Sequence, residues 1–124
     1  MNVVDTSGWL EYFSAGANAD FFAPAIEDSE TLVVPVICVY EVFKKVLQGM
    51  GLAMAEFRTA DLMKGKLVEL TASLAMSAAV ISAELKLPMA DSFILATARE
   101  HQATLWTQDE HFKDLPGVKY IEKC

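Results

Sequence analysis

Two aspartates of the sequence each follow a short apolar run with the character of a β-strand. Asp5 comes directly after NVV, in the stretch NVVDTSGW, and Asp109 follows TLW by way of Thr107 and Gln108. In an open α/β sheet, ligands bind beyond the carboxyl ends of the strands, so both carboxylates would point into one crevice. The same positions are preferred helix N-caps, and for either aspartate alone we favour a cap. Two such positions together weaken the explanation by capping alone.

Two further carboxylates lie within helical patterns. Glu41 shares a polar helix face with two lysines, so spacing alone favours a solvated residue that pairs with Lys45 and contributes about 0.3 to 0.5 kcal/mol. Asp91 is unusual because the residues at i+3, i+4 and i+7 from it are all apolar, which places it on the buried stripe of a helix. An acid in the first turn of a helix is favoured by the macrodipole, so capping explains Asp91 as well. Spacing alone leaves the roles of both residues open.

The elements that must position these residues are predicted from apolar periodicity. Strands are predicted at NVV, TLVVPV, KLVEL, ATLW and VKYI, with a polar turn at TQDEH. Helices are predicted at Trp9 to Phe13, Ala19 to Ile26, Val39 to the stretch QGMG, Leu52 to Met63, Ala72 to Leu85, and ADSFILATAREH. Strands that alternate with helices predict an α/β fold in three layers, with a parallel-rich central sheet flanked by helices on both faces.

Length and charge limit the classes of function. At 124 residues the chain has the size of one domain, which we expect to span residues 1–124. The 10 Lys and Arg residues against 17 Asp and Glu give a net charge of −7, which argues against a protein that holds nucleic acid mainly by bulk charge. No basic segment precedes an apolar core, and no run of about 18 apolar residues occurs, so we expect neither secretion nor a membrane span.

The side chains that often bind transition metals are scattered. Cys38 lies in the apolar run VPVICVY, where a buried thiol is expected, and Cys124 has no partner at metal-site spacing. His101 and His111 are isolated in the sequence, and we expect both to be structural or surface residues. These features favour a reduced, cytoplasmic protein. The hydrophobic fraction of 53% is high for a small monomer, which suggests that a partner chain covers part of the surface.

Three stretches of the sequence carry a family resemblance. VVDTSGWLEYF, VPVICVYEVFKKV and LPMADSFILATAREHQATLWTQDEHF resemble the successive motifs of PIN-domain ribonucleases, in particular the VapC-type toxins of toxin-antitoxin pairs. The third is the most specific, since an Asp that opens an alanine-rich helix is followed by a strand, Thr-x-Asp and a Phe. The resemblance implies a parallel sheet between helices and metal-dependent cleavage of RNA. The family's acidic residues fall on Asp5, Glu41, Asp91 and Asp109, and its supporting hydroxyls on Thr6, Ser7 and Thr107.

Four carboxylates in one place require a compensating cation or shifted protonation, because two charges 4 Å apart repel by about 4 kcal/mol at an effective dielectric constant near 20. Ligands that are all oxygen suit Mg²⁺ or Mn²⁺, and without paired His or Cys residues a zinc site is not expected. The resemblance implies that Asp5 and Asp91 are the main direct ligands and that Asp109 is a ligand or holds a water. Glu41 would bind a second ion or act as a base, and the sequence leaves these two roles open.

The resemblance also implies three macromolecular partners. RNA, the substrate, would bind weakly and with strong salt dependence, because only local basic residues oppose the negative net charge. Residues that could line the rim, although each alone is better explained as a solvated helix face, are Lys44, Lys45, Arg58, Lys64, Lys66 and Arg99. A second copy of the chain would form a homodimer. An antitoxin peptide would occupy an apolar groove whose candidate contacts are Leu10, Phe13, Val46 and Met50.

Three alternative classes fit the sequence less well. A phosphate-accepting receiver domain has an acidic pair at its first strand, where this chain has Asp-Thr-Ser. A phosphatase that forms an aspartyl-phosphate has a second Asp two positions after the first, where this chain has Ser7. The strongest alternative is a catalytically silent PIN-like module that binds RNA or protein. The presence of all four acidic residues argues against that module.

Overall fold

All residues, 1–124, are described by the computed structural model of the protein. Five short strands and six helices follow one another along the chain. The strands are β1 (Asn2–Val4), β2 (Val33–Pro35), β3 (Lys66–Val68), β4 (Thr104–Thr107) and β5 (Val118–Tyr120). The helices are α1 (Thr6–Phe13), α2 (Ala19–Ile26), α3 (Val36–Met50), α4 (Leu52–Leu62), α5 (Ala72–Leu85) and α6 (Met89–Glu100), with a 3₁₀ turn at Glu110–Phe112.

Every strand pairing is parallel. β4 lies between β1 and β5, and β2 pairs with β3. A parallel bridge between Asn2 and Leu32 joins the two groups, so the strand order is β3-β2-β1-β4-β5. From the centre of the sheet, β1, β2 and β3 therefore follow one another to one edge, and β4 and β5 follow one another to the opposite edge. The carboxyl ends of β1 and β4 meet where the direction reverses, which is the position at which such sheets form a ligand-binding crevice.

The core lies between the central strands and the helices that pack on them. Most apolar residues of β1, β2 and β4 are fully buried, with Val3, Val4, Val33, Val34 and Leu105 all at 0% exposure, whereas Trp106 of β4 is partly buried. Strands of a parallel sheet are covered on both faces, which explains why these runs are continuously apolar and do not alternate. The predicted three-layer α/β fold with a parallel-rich sheet is confirmed.

The helix α6 is the most deeply buried helix on this core. Ile94, Leu95 and Ala98 are among its buried residues, as its mostly apolar circumference predicts. Its first turn carries Asp91, and its last residues precede β4. The helix therefore places one candidate carboxylate near the strand ends.

Two predicted helix starts were wrong, because apolar periodicity detects neither of the features that set them. α1 begins at Thr6 and not at Trp9, because its first turn is polar and is stabilised by capping, which apolar periodicity does not detect. α3 begins at Val36 and not at Val39, because Pro35 ends the strand TLVVPV early and precedes the first helical residue. In both places the helix starts directly after the strand. The acidic and hydroxyl residues near these junctions therefore lie at the first turns of helices and not in flexible loops.

The two cysteines are not bonded to each other. Cys38 is fully buried and Cys124 is exposed, and both are free thiols. No helix combines the length and the apolar character that crossing a bilayer requires.

Candidate active site

Asp5 lies at the junction of β1 and α1, where it is 3% exposed. It is the N-cap of α1, since its Oδ1 accepts a hydrogen bond of 3.0 Å from the backbone N–H of Gly8. Ser7 donates to both carboxylate oxygens, at 2.8 and 3.0 Å, and Thr107 donates to Oδ2 at 2.8 Å. The capping interpretation is therefore correct for Asp5. Four hydrogen bonds also hold its carboxylate in one orientation at the carboxyl end of the first strand.

The environment of Asp5 disfavours its charge. Burial raises the pKa of Asp5 from its ordinary value of 3.8 to about 6, although hydrogen bonds from Thr107, Ser7 and Gly8 act in the opposite direction. Repulsion from the nearby charge of Asp109 adds to the increase in pKa. The carboxylates that follow β1 and β4 are thus close enough to interact, as the positions of both after adjacent strands predict.

Glu41 reaches the same region from α3. The hydroxyl of Thr6 donates a hydrogen bond of 2.5 Å to Oε1 of Glu41, across 35 positions of sequence. The expected ion pair with Lys45 is wrong, because no such pair forms and Glu41 is only partly exposed. The two hydroxyl residues after Asp5 therefore act on different carboxylates: Ser7 binds Asp5 and Thr6 binds Glu41.

Asp91 and Asp109 meet at the imidazole of His111. His111 Nδ1 lies 3.0 Å from Oδ2 of Asp91 and 3.4 Å from Oδ1 of Asp109. Asp109 is also the N-cap of the 3₁₀ turn, because its Oδ1 accepts from the backbone N–H of His111 at 2.9 Å. Asp91 is not a cap, since Pro88 occupies the N-cap position of α6. His111 is a surface residue, as expected, but the fold also places its ring between two of the candidate acids, which its position in the sequence does not indicate.

The charges of this cluster alter one another's protonation. Burial raises the pKa of Asp91, the hydrogen bond from His111 opposes that increase, and repulsion from Asp109 and Glu41 adds to it. The hydrogen bond with Asp91 raises the pKa of His111, and the charge of Asp109 acts in the same direction. Glu41 therefore lies near Asp91, and Asp109 lies near both Asp91 and Asp5. We call these four residues, Asp5, Glu41, Asp91 and Asp109, the acidic crevice.

Cys38 marks the floor of the acidic crevice. Its thiol is fully buried one turn before Glu41 in α3 and lies 3.8 Å from the backbone oxygen of Val4, the residue before Asp5. Burial raises the pKa of Cys38, and the charges of three of the four acids act in the same direction. Cys38 is thus an inert apolar neighbour of the crevice, as its sequence context predicts.

A buried polar network, which no local sequence pattern predicts, supports the strand end that carries Asp109. Asn18 donates to Oε1 of Gln108 at 2.9 Å, and both residues are about 5% exposed or less. Glu11 accepts from the backbone N–H of Asn18 at 2.8 Å and from Gln108 at 3.4 Å. The one available signal is Gly16, since a Cβ at that position would collide with the carboxylate of Glu11. The network ties α1 and the loop after it to the end of β4.

A groove adjoins the acidic crevice on the side of α1, α3 and α4. It has a volume of about 540 Å³ and extends from Ser7 and Gln108 to Met50. Its lining includes all four predicted antitoxin contacts, Leu10, Phe13, Val46 and Met50, together with the cationic Lys45, Arg58 and Lys123. The guanidinium of Arg58 packs over the rings of Phe13 and Phe57 at 5.2 and 5.5 Å.

Only some of the basic residues predicted to line the rim lie beside the acidic crevice. Lys45 and Arg58 line the groove, whereas Lys64 pairs with Asp61 at 3.1 Å. Lys66 begins β3 and Arg99 lies in the last turn of α6. Both are therefore at the opposite end of their elements from the crevice, so the rim prediction was wrong for these two residues.

The side chains of the acidic crevice fit a divalent cation. Asp91, Asp109 and His111 each offer a ligand atom within 4.8 Å of the others. The raised pKa values of Asp5 and Asp91 show that burial and neighbouring negative charge act against their ionisation. A divalent cation at the strand ends would offset that cost, and carboxylate oxygens are the ligands that hard divalent ions prefer. The chemistry that such a site can perform is metal-assisted hydrolysis.

The chain thus combines a five-stranded parallel sheet between helices with an acidic crevice at the point where the strand order reverses. The sequence model of the PIN domain matches residues 3–118, which is nearly the whole chain. This protein belongs to the PIN-domain family. Comparison with the curated proteins finds no significant match.

Solved structures with the same fold include toxins and toxin-antitoxin complexes. A toxin-antitoxin complex from Klebsiella pneumoniae has a TM-score of 0.80 at 22% identity and covers 96% of each chain. VapBC2 from Rickettsia felis, bound to a DNA fragment from its promoter, has a TM-score of 0.73 at 15% identity, with 98% of this chain and 97% of that chain covered. VapC20 of Mycobacterium tuberculosis, a toxin that cleaves the sarcin-ricin loop, has a TM-score of 0.72 at 17% identity over 90% and 92%. These similarities establish the fold.

Proposed function

We propose that this protein is a metal-dependent endoribonuclease and the toxin of a toxin-antitoxin pair. The observation that carries the proposal is the convergence of four carboxylates on one crevice. Thr107 joins Asp5 to Asp109, His111 joins Asp109 to Asp91, and Thr6 holds Glu41. Membership of the PIN-domain family and the shared fold with toxin structures support the same activity.

Asp5, Asp91 and Asp109 hold a Mg²⁺ or Mn²⁺ ion in this proposal. When bound, such an ion supplies the charge that activates a water molecule and that stabilises negative charge on the phosphodiester in the transition state. Ser7, Thr107 and the Gly8 amide keep the carboxylate of Asp5 in place before the ion arrives. Preorganised ligands of this kind need little rearrangement during the reaction.

Glu41 has a separate role in the proposed reaction. The hydroxyl of Thr6 donates a hydrogen bond to Oε1 of Glu41 and so holds the carboxylate in one orientation. The other oxygen, Oε2, is left for a second cation or for the proton of the attacking water. A carboxylate serves in either way, and both uses require the orientation that Thr6 provides.

RNA is the substrate in this proposal, bound weakly and with strong salt dependence. The net charge of −7 opposes non-specific binding, so the few cations beside the crevice must supply the attraction. Lys45, Arg58 and Lys123 are placed for this purpose along the groove that starts at Ser7. We place this reaction in the cytoplasm, where a toxin meets its RNA substrate.

Two protein partners complete the proposal. The groove lined by Leu10, Phe13, Val46 and Met50 binds a peptide of the cognate antitoxin, which thereby reaches the acidic crevice at Ser7. The Klebsiella pneumoniae and Rickettsia felis neighbours are themselves toxin-antitoxin complexes, which supports a partner of this kind.

A second copy of the chain pairs through α5 and the start of α6. The exposed apolar side chains of that face are Met76 at 66%, Val80 at 56% and Met89 at 70%. Burial of such a face on an identical one gives a symmetric dimer. Sedimentation of the purified protein as a monomer at micromolar concentration would remove the dimer from the proposal.

Cleavage of a mixed pool of structured RNA by the purified protein tests the nuclease. Wild type is compared with Asp5→Asn and Asp91→Asn in Mg²⁺, in Mn²⁺ and in chelator. Asp20→Asn is the matched control, since Asp20 is an exposed carboxylate at the start of α2, outside the acidic crevice. Circular dichroism of every variant shows that the fold is retained.

The expected result is metal-dependent cutting by wild type and Asp20→Asn that is lost in the two crevice variants. Cutting that survives both crevice substitutions would mean that the active site lies elsewhere. RNA that is bound but never cut, in either metal, would favour the silent binding module.

A further inference from the structure

His111 is the one histidine that the fold places among the carboxylates of the acidic crevice. Its Nδ1 lies 3.0 Å from Oδ2 of Asp91 and 3.4 Å from Oδ1 of Asp109. The three donor atoms lie within 4.8 Å of one another. No other histidine approaches the crevice, because the His101 ring bonds to the backbone oxygen of Thr97 at the far end of α6.

The position of His111 is fixed by its neighbours. Its backbone N–H binds the carboxylate of Asp109 at 2.9 Å, and the next residue, Phe112, is fully buried in the core. The 3₁₀ turn is therefore anchored on both sides of His111. The imidazole itself is 54% exposed, so an ion with its water ligands can reach it from solvent.

The separations of these atoms match those of ligands on one cation. Two ligands at adjacent corners of an octahedron, with bonds of about 2.1 Å, lie about 3 Å apart. A tetrahedral arrangement with the same bonds gives about 3.4 Å. The two distances from His111 Nδ1 fall in this range, and a neutral imidazole whose proton is on Nε2 offers Nδ1 as a ligand.

We propose that His111 is a direct nitrogen ligand of the cation in the acidic crevice, beside Asp91 and Asp109. This inference rests on the proposed metal-dependent function and deepens it. A donor set that includes an imidazole favours first-row transition ions, which accept nitrogen readily, over Mg²⁺, which strongly prefers oxygen. The site therefore selects Mn²⁺ over Mg²⁺ more strongly than an all-carboxylate site would. The alternative is that His111 is a hydrogen-bond donor that only orients Asp91.

Pulsed electron paramagnetic resonance of Mn²⁺ bound to the untagged protein tests this inference without RNA. A coordinating imidazole produces a ¹⁴N coupling on Mn²⁺, whereas a histidine that only donates a hydrogen bond to Asp91 does not. His111→Gln keeps an amide donor but removes the ring. His101→Gln is the matched control, and Asp109→Asn reports whether the observed ion is in the acidic crevice.

We expect one ¹⁴N coupling in wild type and in His101→Gln, and none in His111→Gln. Calorimetric titrations should show that His111→Gln lowers the affinity for Mn²⁺ by about tenfold or more and changes the affinity for Mg²⁺ much less. Mn²⁺ that is bound in wild type without the coupling, and released by Asp109→Asn, would overturn the inference and leave the proposed metal site intact. A coupling that persists in His111→Gln would also overturn it. Absence of any Mn²⁺ binding by wild type would overturn both the inference and the metal dependence of the proposed function.

Discussion

The hydroxyl of Thr107 donates a hydrogen bond of 2.8 Å to Oδ2 of Asp5, although 102 positions separate the two residues. The hydroxyl oxygen of Thr107 in turn accepts a hydrogen bond of 2.9 Å from the backbone N–H of Asp109. The parallel pairing of β1 with β4 makes this possible. Val4 is in register with Trp106, so the residues that follow them, Asp5 and Thr107, lie side by side. One buried hydroxyl thus sets the positions of two carboxylates of the acidic crevice.

Thr107→Val should reduce both stability and activity. The change keeps the shape of the side chain but leaves the buried carboxylate of Asp5 and the N–H of Asp109 each short of a partner. We expect the free energy of unfolding to fall by about 1 to 3 kcal/mol, measured by urea denaturation, and RNA cleavage to fall at least about tenfold. Thr97→Val is the matched control, since Thr97 is equally buried but donates only to the Phe93 carbonyl within α6. Unchanged cleavage by Thr107→Val would show that its hydroxyl does not position the site.

Gly8→Ala should destabilise the protein because α1 packs tightly on its neighbours. A Cβ at Gly8 would lie 2.7 Å from the ring of Phe22 and from Cγ1 of Val4, both fully buried. We expect a loss of about 1 to 3 kcal/mol in the free energy of unfolding.

Gly49→Ala is the control for this change, since Gly49 lies in α3 with nothing within 4 Å of the added Cβ. Alanine in place of glycine at an open helical position should raise the free energy of unfolding by about 0.5 to 1 kcal/mol. Equal effects of the two substitutions would contradict the close packing of α1.

The stability of the metal-free protein should depend on pH through Asp5. Its pKa is about 6 in the folded protein against an ordinary value of 3.8, so the folded state binds this proton more tightly than the unfolded state does. The stabilisation is complete below the ordinary pKa and is lost as the pH rises to about 6, with a slope of about 1.4 kcal/mol per pH unit.

Urea denaturation in chelator, at several pH values from 4 to 7, measures this effect as the difference between wild type and Asp5→Asn. The stability of wild type relative to the variant should decrease as the pH rises. Asp91 titrates in the same direction in both proteins, so its contribution cancels in the comparison. A difference that is constant with pH, or that grows, would contradict the effect of burial on Asp5.

Thr6 and Glu41 should act as one unit in catalysis. The hydrogen bond of 2.5 Å between them orients the carboxylate, so Thr6→Val should slow RNA cleavage in wild type. The same change should have little further effect in a Glu41→Gln background, because the charged acceptor is already lost. A double-mutant cycle on the cleavage rate measures the coupling, which is expected at about 0.5 to 3 kcal/mol. Additive losses would show that Thr6 acts independently of Glu41.

The local pattern of the sequence predicted most of the architecture. Apolar runs and helical stripes gave the alternation of strands and helices, and this alternation predicts the parallel sheet because parallel strands need crossover connections. Motif resemblance selected the four carboxylates of the acidic crevice. The helix starts at Thr6 and Val36 were missed, since a polar cap and a proline set them and apolar periodicity does not register either.

The partners of the site residues could be read only from the tertiary structure. Local spacing predicts a structural or surface role for His111, yet its ring lies beside Asp91 across 20 positions of sequence. Spacing also predicts that Glu41 pairs with Lys45, but Glu41 accepts a hydrogen bond from Thr6 across 35 positions. The buried bond between Asn18 and Gln108 spans 90 positions and has no local pattern at all.

Periodicity in the sequence is enough to predict which segments are strands and helices, because it records which face of each segment avoids water. The tertiary structure alone decided which side chains meet, because the strand order β3-β2-β1-β4-β5 brings the ends of β1 and β4 together from opposite ends of the chain. A hydrogen bond or a shared cation requires its groups to lie within a few ångströms, and only the folded sheet brings residues so far apart in the chain to that distance.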